Sequence, residues 1–247
     1  MSVWRAADKS KFMSNGLIEV NRQTLATLTA AVASGQSIVL ATRLEDGEQR
    51  LIKTNESASD ALSQSARTAA ERDQSATFII DGVTWFLNVF NAPPTLYIVG
   101  AVHIAQPLSI IAALSGFTVT VIDPRTAFAT NERFPNIHLI TAWPDEALVE
   151  LPLDHRTAIV TLTHDPKLDD PALIAALKSQ VFYVGALGSK KTHAARLARL
   201  KSAGFDDAAL SRIDGPVGLD IGAVSPAEIA ISIMAQIVER LRSSGTK

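Results

Sequence analysis

The chain has 247 residues, of which 47% are hydrophobic and 19% charged, with a formal net charge of −2 at pH 7 and no cysteine. This charge lacks the basic excess of a nucleic-acid-binding protein, and without cysteine these residues can form no disulfide, thiolate metal site or cysteine nucleophile. No apolar run reaches the roughly 18 residues of a membrane span and no signal-peptide core opens the sequence, so we expect a cytoplasmic globular protein.

Two helices are predicted in the first part of the chain. Residues 18–32 have apolar residues at helical spacing, with Leu25, Leu28 and Val32 on one face. Residues 57–72 form a polar segment rich in alanine, serine and arginine, which is also typical of a helix.

Two β-hairpins accompany these helices. The dipeptides Asp46-Gly47 and Asp81-Gly82 each separate two strand-like runs, and such dipeptides favour a tight hairpin turn. The predicted strands are residues 37–44, 49–54, 77–80 and 83–90. The segment 91–94, which ends in two prolines, forms a stiff linker. We therefore predict a small α+β domain at residues 1–94.

From residue 95 onward, apolar strands alternate with helices. The predicted strands are residues 96–99, 119–122, 137–140, 157–162 and 182–184, and the predicted helices are residues 104–114, 171–177, 190–203 and 226–241. Strands that are apolar throughout indicate a parallel sheet covered on both faces. The fold class is thus α/β, with a doubly wound parallel sheet in residues 95–247.

The first strand of this sheet opens like a nucleotide-binding domain. Gly100 follows the strand, and Asp123 ends the next strand, in the order seen where a glycine turn holds a phosphate and an acid holds a ribose. His103 comes shortly after the glycine and would lie either near a ligand or in local packing, while Arg125 follows the acid. Val102 occupies the second glycine position of the dinucleotide fingerprint, which argues against tight dinucleotide binding.

The segment 185–193 is the predicted anion site. Gly185 and Gly188 allow a sharp turn, and Ser189 can cap the helix that follows. Helix N-termini with nearby lysines commonly hold phosphate. Positive charge is added by Lys190 and Lys191 in this segment and by Arg196 and Arg199 further along the predicted helix. The alternative is an ordinary glycine turn before a basic helix that faces solvent.

Two further clusters follow later strands. His164 and Asp165 could act as an acid–base pair or bind a metal with nearby residues. Alternatively, Asp165 opens a turn and an acid further on caps a helix that begins at Pro171. The nearby candidates for these roles are His103, Asp169 and Asp170. The sequence lacks the His pairs typical of zinc sites, and we assign no metal.

The glycine-rich loop before the last helix is the other candidate ligand contact. It contains Gly218, Asp220 and Gly222, and it either approaches a ligand closely or simply returns the chain to the sheet. Ser225 and Glu228 form a predicted capping box at the start of the helix.

Five of these segments resemble the xanthine dehydrogenase accessory factors, the XdhC/CoxI family. The segments are GAVHIAQPL at 100–108, VIDPRTAFATNERFP at 121–135, TLTHDPKLDDPAL at 161–173, FYVGALGSKKTHAARL at 182–197 and GPVGLDIGAVSPAEIAISI at 215–233. Together they span almost all of residues 95–241 in the family's order. The resemblance implies a Rossmann-like C-terminal domain.

It also implies a carrier of molybdenum cofactor (molybdopterin) in which no catalytic residue is expected. Such a protein assists sulfuration of the cofactor with a cysteine desulfurase and inserts it into an apo-molybdoenzyme of the xanthine dehydrogenase or carbon monoxide dehydrogenase class. A homodimer is compatible with this role, whereas nucleic acid and membranes are not expected partners. The expected cofactor-binding residues are Gly100, His103, Asp123, Arg125, His164, Asp165, Gly185, Gly188, Ser189, Lys190, Lys191, Gly218, Asp220 and Gly222.

The chain departs from the family in two places. Many members have glycine at the position of Val102, and many have an N-terminal domain with cysteines, whereas this chain has none. We therefore expect a separate cysteine-containing family member to supply the sulfur-handling part. Two other functions stay open at this stage, an NAD(P)-dependent oxidoreductase and a scaffold with a vestigial nucleotide pocket.

Overall fold

The computed structural model describes residues 22–57 and 59–243. The chain forms two compact units, one that ends at Ala92 and one that begins at Pro93. Within the described ranges, no helix has the length and apolar character needed to cross a membrane.

The first unit is built on a four-stranded antiparallel sheet in the order β2-β1-β4-β3. Both predicted hairpins are confirmed, and Asp81 and Gly82 adopt positive φ angles of 51° and 80°, as a tight hairpin turn requires. Its elements are α1 (Arg22–Ala33), β1 (Ile38–Arg43), β2 (Gln49–Lys53), α2 (Ala61–Glu71), β3 (Ala76–Ile80) and β4 (Val83–Phe90).

The first helix is confirmed, but its predicted apolar face is only partly buried. Leu28 is buried together with Ala31, whereas Leu25 is 52% and Val32 is 50% exposed. Among the described residues, helix α1 packs against a small apolar cluster around Ile38. Only a narrow stripe of the helix surface is therefore buried. The predicted start at residues 18–21 lies outside the described residues.

The second unit is a six-stranded parallel sheet in the order β10-β9-β8-β5-β6-β7, with helices on both faces. One core lies between the sheet and helices α3 and α8, and the other lies between the sheet and α4 to α7. The doubly wound fold is therefore confirmed. The elements are β5 (Thr95–Val99), α3 (Ala105–Leu114), β6 (Thr118–Ile122), β7 (His138–Ile140), α4 (Pro144–Val149), β8 (Thr157–Thr161), α5 (Pro166–Leu177), β9 (Tyr183–Ala186), α6 (Lys190–Ser202), α7 (Asp207–Leu210), β10 (Ile213–Asp214) and α8 (Pro226–Ser243).

The strand order places a crevice at the carboxyl ends of β5 and β8. The chain adds β6 and β7 on one side of β5 and then crosses to add β8, β9 and β10 on the other side. The helices that follow β5 and β8, α3 and α5, therefore pack on opposite faces of the sheet, and open α/β sheets bind their ligands at such a reversal.

Helix α5 begins five residues earlier than predicted, at Pro166 instead of Pro171. The Asp165 side chain accepts a hydrogen bond from the Lys167 N–H at 2.9 Å, and Pro166 takes the first helical position, where its missing N–H costs nothing. Asp169 and Asp170 are thus inside the helix and do not cap it. Proline at 171 is tolerated in the helix interior, although it removes one backbone hydrogen bond.

Candidate functional site

Gly100 forms the turn at the end of β5, and two observations explain why the residue is glycine. Its φ angle is +107°, and a Cβ atom added to it would clash with Cγ2 of Thr163, in the loop after β8. L-amino acids with a side chain rarely adopt such an angle. The loops after β5 and β8 therefore touch at Gly100, so the predicted glycine turn is confirmed.

The rest of this turn differs from a dinucleotide fingerprint. Val102 is half-buried and packs against the core on the α3 side of the sheet. His103 is exposed and lies just before α3. Ile104 occupies the N-cap position and makes no side-chain capping bond, so the first turn of α3 is not capped by a side chain of this residue.

Asp123 is completely buried and binds the turn from the neighbouring strand. One carboxylate oxygen accepts from the Ala101 N–H at 2.7 Å and from Arg125 Nη2 at 2.7 Å, and the other accepts from the backbone N–H and Nε of Arg125, both at 2.9 Å. Burial alone would raise the pKa of Asp123, but hydrogen bonds from Arg125 and Ala101 outweigh it and lower the pKa below its usual value.

Arg125 lies between this buried acid and the rim, which is the edge of the second unit formed by the loops at the carboxyl ends of its parallel strands. Its side chain is 41% exposed, and its guanidinium lies 4.7 Å from the ring centre of Phe128, which in turn lies 5.8 Å from the guanidinium of Arg133. The hydrogen bond to Asp123 raises the pKa of Arg125, and the charge of Asp165, in the loop after β8, raises it further. Arg125 and Asp165 therefore interact electrostatically across the rim.

The loop after β8 is organised by Asp169, which is 1% exposed. Its carboxylate accepts hydrogen bonds from Thr163 Oγ1 at 2.6 Å, the Thr163 N–H at 3.3 Å and the His164 N–H at 3.1 Å. These bonds hold His164 at a φ of 66°, a strained angle that a side-chain-bearing residue keeps only when its surroundings impose it. His164 and Asp165 themselves are exposed.

Asp165 itself caps α5, whereas the sequence predicted, as one of two alternatives, that it opens a turn and that Asp169 or Asp170 caps the helix. The described residues contain no group of three or more His, Asp and Glu side chains arranged to hold a metal ion.

Asp169 also forms an ion pair with Arg196 of α6, and both side chains are nearly inaccessible. Arg196 Nη2 lies 3.6 Å from the carboxylate of Asp169 and donates to the Leu187 carbonyl at 2.7 Å. Burial raises the pKa of Asp169 and lowers that of Arg196, while the attraction between them opposes both changes. The pair therefore joins the loop after β8 to the loop after β9.

The loop from β9 to α6 contains the predicted anion site. Ser189 caps α6, as predicted, since its Oγ accepts from the Thr192 N–H at 3.1 Å. Gly188 has a φ of +146° and makes the turn, and a Cβ atom there would lie 3.1 Å from Thr192 Cβ. The prediction for Gly185 is wrong, because it lies inside β9 and not in the turn. A Cβ atom on it would lie 2.5 Å from Cγ2 of Val217, so packing requires glycine here.

This loop presents donors to solvent. Among the described residues, the backbone N–H groups of Gly188, Ser189, Lys190 and Lys191 donate to no protein acceptor, as expected at the start of a helix. The side chains of Lys190 and Lys191 are exposed and make no ion pair within the described ranges. The arrangement therefore suits an anion.

The glycine-rich loop after β10 combines packing with exposure. Gly218 packs closely on α8, where a Cβ atom would clash with Ser232 Oγ, and its N–H donates to Gln236 Oε1 at 2.7 Å. Asp220 and Gly222 are exposed. The structural alternative thus explains Gly218, and Gly222 has a φ of +73°, a backbone angle that favours glycine. The predicted capping box is confirmed: Glu228 accepts from the Ser225 N–H at 2.8 Å.

Comparison with known protein families finds one match that contains this whole rim. Residues 96–237 match the XdhC Rossmann domain. The matched range includes the loops after β5, β6, β8, β9 and β10 and every predicted site residue from Gly100 to Gly222.

Two curated relatives are similar to part of this chain. A probable xanthine dehydrogenase subunit of Bacillus subtilis is 36% identical over 155 residues, which are 62% of this chain and 45% of that protein. The molybdenum cofactor insertion chaperone PaoD of Escherichia coli is 34% identical over 100 residues, 40% of this chain and 31% of that protein. The chain therefore spans less than half the length of either relative.

A solved structure has the same fold. The crystal structure of a xanthine dehydrogenase from Bacillus halodurans matches with a TM-score of 0.65 and 24% sequence identity, covering 90% of this chain and 67% of that one. At this identity the likeness shows the fold alone.

Proposed function

The chain belongs to the XdhC family, and on that premise we propose that it is an accessory protein that binds molybdenum cofactor and assists its insertion into a molybdoenzyme of the xanthine dehydrogenase class. Support comes from the names of two relatives, a xanthine dehydrogenase subunit and a molybdenum cofactor insertion chaperone. The cofactor would be cargo, bound and then handed over, so the chain needs binding residues but no catalytic group.

The loop from β9 to α6 is the observation that carries this proposal. Molybdopterin bears a phosphate, and this loop offers four backbone N–H groups that have no acceptor among the described residues, together with the exposed Lys190 and Lys191. A helix N-terminus with adjacent lysines binds phosphate well, because aligned N–H groups and positive charge both face the anion. The donor set therefore fits the group.

The other rim residues would contact the rest of the cofactor. His103, His164, Asp165 and Arg125 are exposed or half-exposed on the loops after β5, β6 and β8, and Asp220 and Gly222 are exposed after β10. They can donate to or accept from the polar edge of a pterin. The bound cofactor supplies the redox chemistry of the enzyme that receives it, while these side chains bind and orient it.

The same geometry argues against an NAD(P)-dependent oxidoreductase. Both carboxylate oxygens of Asp123 already accept hydrogen bonds from Ala101 and Arg125, and the residue is completely buried. Holding a ribose hydroxyl would require breaking that arrangement. Val102 also packs where a second glycine would let a pyrophosphate approach the backbone.

Sulfuration would depend on partners. None of the 247 residues is cysteine, so neither a persulfide nor a thiolate ligand can come from them. We propose that a cysteine desulfurase and a cysteine-containing family member act with this chain, in the cytoplasm where apo-enzyme is made. A pull-down from the native host that recovers the chain without any cysteine-containing relative would contradict this part.

Co-purification tests the proposal in cells. The full chain, purified without oxygen from cells that make molybdenum cofactor, should carry both molybdenum and fluorescent pterin, measured by elemental analysis and oxidation of the released pterin. The same chain from cells unable to make the cofactor is the control. Protein that carries neither would favour a scaffold with a vestigial pocket.

A further inference from the structure

We propose that Arg196 is the buried cation of the phosphate site in the loop from β9 to α6, and that it selects cofactor bearing a phosphate monoester. The inference rests on the proposed function. It adds a buried arginine to a site that is otherwise marked only by the exposed Lys190 and Lys191.

The first observation is that Arg196 is buried without enough partners. Its side chain is 1% exposed, yet Nε and Nη1 have no hydrogen-bond partner within the described residues. Within the part of the chain that the structure describes, the guanidinium donates through Nη2 alone, to the Leu187 carbonyl. A buried donor without an acceptor destabilises the fold, and more so if it is charged. A bound anion would remove this cost.

The second observation is the direction of the side chain. Side chains on a helix lean toward its N-terminus, and the bond from Nη2 of Arg196 to Leu187 confirms this, since Leu187 directly precedes the Gly188 turn. The guanidinium therefore lies against Leu187, one residue before the loop whose backbone N–H groups have no acceptor among the described residues. This bond places the unpaired donors of the arginine close to the chain that enters the loop.

A third unpaired group lies in the same layer. Thr161 Oγ1, at the carboxyl end of β8, is buried and has no partner among the described residues. Thr161 is two residues from Ile159 and so shares its face of the sheet, which packs against α4 to α7, the side on which Arg196 also lies. A hydroxyl can donate to a phosphate oxygen and adds one more candidate contact.

The charge of Arg196 is also incompletely balanced. Asp169 is 3.6 Å away and already accepts three hydrogen bonds from Thr163 and His164, so it is a loose partner. Arg199, on the same helix, shows the contrast: it is exposed and makes two bonds to Asp170 at 2.6 and 2.9 Å. Arg196 is therefore the arginine of α6 that retains unused donors.

Two pterin probes test the role of Arg196 by fluorescence. The full chain is titrated with 6-hydroxymethylpterin and with its phosphate monoester. Charge-assisted hydrogen bonds contribute roughly 1.5–3 kcal/mol, so the wild type should bind the phosphorylated probe at least about tenfold more tightly. Arg196→Met should reduce this preference to less than about twofold, and Arg196→Lys should restore part of it. Arg199→Met is the matched control and should keep the full preference.

The variants must be shown to fold by circular dichroism. If Arg196→Met fails to fold because Asp169 is left buried and unpaired, the double variant Asp169→Asn/Arg196→Met removes both charges. The wild type offers a further measurement, since the Nε–Hε nuclear magnetic resonance signal of Arg196 should shift with the phosphorylated probe and not with the other.

The outcomes separate the two proposals. A folded Arg196→Met protein that keeps the wild-type preference, or an Arg196 signal that does not move, overturns the inference and leaves the proposed function standing. Equal affinity of the wild type for the two probes would also overturn the inference and leave the proposed function standing. A wild type that binds neither probe contradicts the inference and the proposed function together.

Discussion

Two buried carboxylates hold the loops at the carboxyl edge of the parallel sheet. Asp123 binds the turn after β5, and Asp169 binds the loop after β8. Their responses to pH should be opposite. Hydrogen bonds lower the pKa of Asp123 in spite of its burial, whereas burial raises the pKa of Asp169. As the pH falls, the cost of burying Asp169 should therefore decrease, whereas the stabilisation contributed by Asp123 should be lost.

Replacing Asp123 tests the predicted pH dependence of stability at one residue. A folded-state pKa below the unfolded value of about 3.9 stabilises the fold above that pH, and the contribution is lost as the pH falls through the folded pKa. Asp123→Asn should thus lower the free energy of unfolding by about 1–3 kcal/mol at pH 7. The gap to wild type should narrow below about pH 4. Urea unfolding of both proteins between about pH 3 and pH 7 measures this difference in the free energy of unfolding. A difference that does not change with pH would contradict a lowered pKa for Asp123.

Gly100 offers a second prediction at the residue scale. Gly100→Ala should destabilise the protein by about 2–4 kcal/mol, because alanine is strained at positive φ and its Cβ meets Thr163. Gly116→Ala is the control, since its φ is +85° and nothing lies within 4 Å, so only the strain of about 1 kcal/mol remains. Adding Thr163→Ser to Gly100→Ala should recover part of the loss in urea unfolding. If Gly100→Ala and Gly116→Ala lower the free energy of unfolding equally, the Cβ atom added at position 100 does not clash with Thr163.

At the scale of elements, α6 is the part of the fold most directly tied to binding. Its N-terminal lysines should attract the cofactor phosphate, so Lys190→Glu with Lys191→Glu should weaken cofactor binding more than about tenfold while the fold is kept. Lys178→Glu with Lys201→Glu changes the charge equally at the far ends of α5 and α6 and is the control. Similar affinities for both double variants in equilibrium titration would remove the loop from the site.

Local chemistry made many elements predictable. The Asp-Gly hairpins, the Ser189 cap, the Ser225–Glu228 capping box and the apolar strands each depend on neighbouring residues, and each is confirmed. The start of α5 was missed because Pro171 resembles a helix start, although the pair Asp165-Pro166 is the stronger signal. The short elements α4, α7 and β10 lack enough residues for a periodic pattern.

The site was less predictable, because its connections are long in sequence. No spacing rule reveals that Asp123 would bind Ala101, that Asp169 would hold His164 in a strained conformation, or that Arg196 would be buried beside Asp169. Gly185 shows the same limit. Its neighbour Val217 comes from a distant loop, so packing rather than a turn requires glycine there.

On the scale of the whole molecule, the two compact units lead to a prediction about folding. The parallel sheet has its own two cores, so residues 93–247 should fold alone and keep the ligand-binding rim. A piece of these residues should unfold cooperatively in urea and bind cofactor within about threefold of the full chain. A piece without cooperative unfolding, measured by circular dichroism, would show that the sheet needs the first 92 residues.

The most direct test of the account is equilibrium binding of anaerobically released molybdenum cofactor to the full chain, with NAD(H) and NADP(H) as parallel ligands. The rim geometry predicts tight cofactor binding that is weakened by Lys190→Glu with Lys191→Glu. It also predicts no dinucleotide binding, because the Asp123 carboxylate already accepts hydrogen bonds from Ala101 and Arg125. Dinucleotide binding without cofactor binding would contradict the proposed function and would direct the search to a hydride substrate.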